Sequence, residues 1–112
     1  MRFFILLFIV GASFFSSCLF EKSDVPVDLC SGISYSRDVV PIIETHCALN
    51  GCHVSGFSQG NFNSYDTLYS KIESGAFQLR VFELGSMPPN DSLSEKDLST
   101  FKCWIYNGAP DD

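Results

Sequence analysis

The stretch C-A-L-N-G-C-H, residues 47–53, sets two thiols five positions apart and puts an imidazole directly behind the second. Such a cluster constrains a short chain strongly, because a small domain seldom buries enough surface to stand without a disulfide, a metal or a large prosthetic group. Three chemistries fit these residue types. In the first, each thiol adds across a haem vinyl group to give a thioether, and the adjacent imidazole ligates the iron. The usual spacing for that is C-x2-C-H. Here four residues intervene, and small Ala48 and flexible Gly51 let the extra residues loop out while Cys52 and His53 keep their adjacency. The second chemistry is zinc, for which His46, Cys47, Cys52 and His53 make four soft ligands, although neighbours such as His46 and Cys47 seldom reach one ion. The third is a Cys47–Cys52 disulfide closing a surface loop.

The compartment bears on all three. The chain opens M-R-F-F-I-L-L-F-I-V-G-A-S-F-F-S-S-C: one positive charge at Arg2, an apolar run from Phe3 to Phe15, then small residues before a cysteine. That is the layout of an export signal. Its 13 apolar-run residues fall short of the roughly 20 that span a bilayer as a helix. Phe15 to Cys18 resembles a bacterial lipobox, so residues 1–17 are expected to be a lipoprotein signal peptide and Cys18 the lipidated first residue of the mature chain. An ordinary secretory signal cleaved nearby is the alternative. Arg2 leaves with the signal, so the remaining 95 residues carry 6 basic and 13 acidic groups and a net charge of −7. A surface of that sign repels nucleic acid. An oxidising envelope also permits disulfides.

Beyond the signal, residues 18–33 are polar and poor in large apolar side chains, which reads as a lipidated tether to a domain spanning 34–112. No repeat interrupts that domain. Val39, Ile42 and Ile43 recur at helical spacing, with Ser34 or Ser36 as cap and Pro41 in the first turn. A second helix is expected where Tyr65, Leu68, Tyr69 and Ile72 form a stripe, capped by Asn63 or Ser64 and stopped at Gly75. The clearest helix begins at Ser94, carries Asp97 in the manner of a capping box, and ends at Gly108 before Pro110. Leu98, Phe101, Trp104 and Ile105 make its apolar stripe, from which Cys103 points away. The segment between the last two helices, L-R-V-F-E-L-G-S-M-P-P-N-D, is rich in turn formers. No long run alternates with period two, so the expected fold class is all-α.

An electron-carrying haem iron needs a second axial ligand, and a methionine thioether supplies one that raises the reduction potential. Apart from the initiator the chain has one methionine, Met87, in a loop stiffened by Pro88 and Pro89. With these residues in view, positions 34–110 resemble a class I type cytochrome c domain. The segment S-Y-S-R-D-V-V-P-I-I-E-T-H-C matches that family's first helix leading into the haem cysteines, C-H its proximal ligand, M-P-P its distal loop, and the W-I-x-x-G-A ending its last helix. The likeness is to a branch of small, lipid-anchored envelope cytochromes that tolerate the longer cysteine spacing.

That resemblance implies one covalently attached haem c per chain, thioethers at Cys47 and Cys52, iron ligated by His53 and Met87, and no catalytic residue. The implied function is electron transfer by a bacterial envelope lipoprotein, with redox proteins bearing a basic patch as partners, the membrane reached through the lipid, and no enzymatic activity. In the family the first and last helices cross. The resemblance therefore brings the two remaining cysteines, Cys30 and Cys103, near each other, and a disulfide between them is expected, with two free thiols or an intermolecular pair as alternatives. His46 reads as a helix-end histidine near the negative pole of the dipole, and Arg80 as a surface residue or a partner for a haem propionate. Phe57, Phe62, Phe77, Phe82 and Phe101 can wall a haem crevice or fill an ordinary core. Two other functions stay open: a cofactor-free, disulfide-stapled structural or binding lipoprotein, and a haem sensor or peroxidase with an open sixth position.

Overall fold

A computed structural model describes residues 30–112; the signal peptide, Cys18 and the tether up to residue 29 lie outside the described residues. The first helix starts at Ser34. Its hydroxyl accepts from the Arg37 amide at 3.2 Å, and its own amide donates to the Asp38 carboxylate at 2.8 Å, so two groups left over at a helix start satisfy each other. A π-helical turn, Tyr35–Val39, runs directly into α1, Val40–His46. The wider turn accommodates Pro41, whose ring collides with the carbonyl four residues back in a regular helix. α2 spans Tyr65–Glu73. Ser64 stands at its cap without a side-chain bond, and Gly75, at φ +78°, turns the chain out of it.

The segment from Leu79 on is rich in turn formers, and here the structure differs from a plain loop. α3, Ala76–Gln78, continues as a second π-helical turn, Leu79–Glu83, and only then does the loop begin. Its N-cap, Gly75, has no side chain, and the Ser74 hydroxyl accepts only a long bond, 3.4 Å, from the Ala76 amide. What holds it is Phe77, 4% exposed, in edge contact with Phe101 at 5.1 Å and Phe82 at 5.9 Å. Such contacts form only after the chain has folded back on itself. α4, Glu95–Tyr106, starts at Ser94, whose hydroxyl accepts from the Asp97 amide at 3.1 Å and donates to the Asp97 carboxylate at 2.7 Å. The described residues contain no strand, and the fold is all-α.

The core gathers where the first helix meets α4. Val39, Leu68, Phe101 and Trp104 are fully buried, with Ile42, Ile43 and Ile72 beside them. Tyr35 stacks on Trp104 with ring centroids 5.3 Å apart and meets Tyr65 edge-on at 5.1 Å. Polar tips of this aromatic group are satisfied by the C-terminal segment: Trp104 Nε1 donates to Pro110 O at 2.9 Å and the Tyr65 hydroxyl to Ala109 O at 2.8 Å. The Asp112 carboxylate then accepts from the Tyr35 amide at 2.6 Å and the Ser36 amide at 3.2 Å, capping the first helix from 77 residues away.

Cys103 is only 3% exposed and is joined to Cys30 in a disulfide. Its burial corrects the expectation that a residue off the apolar stripe faces water. Periodicity reports one packing partner, and α4 has a second: the segment at residue 30, held also by the Asn107 side chain donating to Cys30 O at 2.8 Å.

Candidate cofactor site

α1 delivers the first thiol. Its chain end is closed by the Cys47 and Ala48 amides, both donating to Ile43 O, at 2.9 and 2.8 Å. The four-residue spacer then bulges outward, with Leu49 45% exposed and Gly51 at φ +80°. His53 N returns to Cys47 O at 3.0 Å. The extra residues are thus looped out, and the backbone hydrogen bond spans the base of the loop that carries both cysteines. Cys47 and Cys52 are free thiols. Burial pushes the Cys47 thiol up to about 11, and the neighbouring Cys52 adds to the shift.

Both thiols line a crevice of about 410 Å³, within the range of small-molecule and cofactor sites. Phe57, Phe62 and Phe77 supply apolar wall, and Met87 with Pro88 and Pro89 forms another side. The Met87 loop is folded back by the Ser86 and Met87 amides, which both donate to Arg80 O, at 2.9 and 3.2 Å. Two cations, Lys71 and Arg80, also line the crevice. Phe82 and Phe101 do not; Phe101 is core, and Phe82 lies beneath the Lys102 ammonium at 5.5 Å.

His53 is not itself among the lining residues. It sits beside them, stacked face to face on Phe62 with centroids 3.8 Å apart and planes 5° from parallel, and edge-on to Phe57 at 5.1 Å. Its Nδ1 is 3.2 Å from Gly60 O; a carbonyl only accepts, so the proton is on Nδ1 and Nε2 carries the lone pair. Stacking on Phe62 covers one face of the ring, and the Nε2 lone pair lies in the ring plane, outside that contact. Burial lowers the imidazole's pKa, with Lys71 acting the same way and the Gly60 carbonyl opposing. A neutral imidazole with an oriented Nδ1–H is the form that ligates a metal.

The four residues of the zinc alternative do not converge: among the described residues no three His, Cys, Asp or Glu side chains are placed to hold one ion. His46 instead turns its Nδ1 to the Asp91 carboxylate at 2.5 Å. Gly60, Lys71 and Asp91 carried no signal in the sequence. Gly60 has a steric one in the structure, since a Cβ there meets the Thr67 methyl at 2.7 Å.

Comparison with protein-family profiles, with characterised proteins and with solved structures finds no match.

Proposed function

We propose that the chain is a c-type cytochrome domain: a haem c-binding lipoprotein of the bacterial envelope that passes single electrons to and from redox partners and catalyses no reaction of its own. The observation that carries this reading is the shared crevice. Two free thiols, a thioether and three aromatic side chains border one space, and an imidazole with a defined tautomer stands next to it. When bound, haem iron supplies the one-electron chemistry. Cys47 and Cys52 would attach the group, His53 through Nε2 and Met87 through Sδ would hold its iron, and the phenylalanines would exclude water. Lys71 and Arg80 match the two carboxylates such a group carries.

Mass determination on the protein exported together with a cytochrome c maturation system tests the reading. A mass increased by one haem that survives acid extraction is the expected result; an unmodified mass and a colourless protein would refute it. The Cys30–Cys103 disulfide favours one other reading, a cofactor-free stapled lipoprotein, and the same measurement separates the two. Met87 is 36% exposed, which gives the open-sixth-position alternative its footing. A ferric wild-type holoprotein with no sulfur-to-iron charge-transfer band would establish that alternative.

A further inference from the structure

His46 lines the crevice, and Asp91 stands just outside it on the loop that carries Met87. His46 is the last residue of α1, immediately ahead of Cys47, and Asp91 follows Met87 by four positions in the loop before α4. The pair meets at 2.5 Å between Nδ1 and Oδ2, and because a carboxylate accepts, Nδ1 donates. The other carboxylate oxygen accepts from the Ser92 amide at 2.8 Å, which fixes the orientation of the group. His46 is 20% exposed at this contact and Asp91 54%. On its other side the Met87 loop is tied to Arg80 O through Ser86 and Met87. Among the described residues, the His46–Asp91 contact is the one hydrogen bond between the first helix and residues 85–93. Met87 therefore lies between two anchors, one on the Leu79–Glu83 turn and one on the helix that delivers Cys47.

We propose that the His46–Asp91 pair is a clasp that closes the Met87 loop over the crevice, making both residues positioning residues for the methionine. The proposal rests on the haem reading above and extends it to a pair that does not ligate iron, although His46 borders the crevice. Closure matters because a methionine on a free loop leaves iron for part of the time, and an exogenous ligand enters in that interval. A bond between the thiol-bearing helix and the distal loop shortens the interval.

The test uses the full exported chain, with and without haem, as wild type, Asp91→Ala, His46→Ala and His46→Gln. Asp91→Ala also releases the Ser92 amide, so His46→Ala is needed to isolate the His46–Asp91 bond, and Gln keeps a donor in its place. In the haem-free chain, amides of residues 86–93 should exchange about five-fold faster in both Ala variants, as expected for a half-exposed hydrogen-bonded pair, while α4 amides hold. In the holoprotein, carbon monoxide should bind the reduced Ala variants about five-fold faster and the ferric sulfur-to-iron charge-transfer band should weaken. His46→Gln should recover most of both effects. Unchanged exchange and unchanged carbon monoxide rates in a wild-type-like holoprotein would overturn the clasp and leave the haem reading intact. A wild-type chain carrying no haem by mass would overturn the positioning role together with the reading beneath it.

Discussion

A single carbonyl, Gly60 O, decides which nitrogen of His53 holds the proton, and the position tolerates little change. Gly60 has φ +110° and faces the Thr67 methyl. Gly60→Ala should cost about 1–3 kcal/mol in urea unfolding through backbone strain, and lower the yield of attached haem as well. A variant with wild-type stability and yield would show that the carbonyl is dispensable. The two crevice thiols should also differ in chemistry. With Cys47 half-buried and its thiol pushed up to about 11, iodoacetamide at pH 8 should label Cys52 of the haem-free chain first, read by peptide mass mapping; equal labelling would contradict the asymmetry. Met87→Ala should retain covalent haem, bind carbon monoxide when reduced and show a lower reduction potential. An unchanged spectrum with no carbon monoxide adduct would remove Met87 from the axial role. Cys47, Cys52, His53 and Met87 could be picked out in the sequence because each carries chemistry in its own side chain. Gly60, Lys71 and Asp91 could not, since their parts depend on where the folded chain sets a carbonyl or a charge.

Among the elements, those with both a cap and a stripe were legible. Ser34 and Ser94 begin helices, and Val39, Ile42, Ile43, Phe101 and Trp104 are buried. α3 and the turn after it were not, because their support comes from Phe77 meeting Phe101, a contact 24 residues apart in sequence. The cap on the first helix from Asp112 was equally invisible. Desolvation works against ionisation of Asp112, but the Ser36 amide, the Ser34 hydroxyl and the Tyr35 amide outweigh it and hold the carboxyl below its ordinary value. A depressed carboxylate pKa contributes stability above the unfolded value of about 4, and this is lost as pH falls through the lower folded value. Thermal midpoints of wild type and Asp112→Asn should therefore differ at neutral pH and converge in acid; a gap that persists there would assign the effect to packing. Replacing Cys30 and Cys103 together by Ser opens a cross-link over 73 residues and should remove up to about 4 kcal/mol, measured by urea unfolding. A loss under about 1 kcal/mol would mean the reduced chain keeps the same restraint by packing.

At the scale of the whole molecule, charge governs encounter. The 95 residues after the expected signal carry a net −7, while Lys71 and Arg80 border the crevice. If their charges are balanced by the carboxylates of a bound haem, the acidic surface dominates at long range. Stopped-flow oxidation by a cationic inorganic complex should then slow as salt shrinks the screening length from about 30 Å at 0.01 M to about 8 Å at 0.15 M, and an anionic complex should speed up. The reverse order would place the crevice cations in control. The disulfide has a mechanical meaning as well. If the chain is anchored upstream, as the expected lipidation of Cys18 implies, a tensile load meets the covalent cross-link at Cys30 and passes into α4 beside Trp104. The first helix, with Cys47 just past its end, is joined covalently to that point through the backbone of residues 31–33, so the cross-link divides the load before it reaches the crevice thiols.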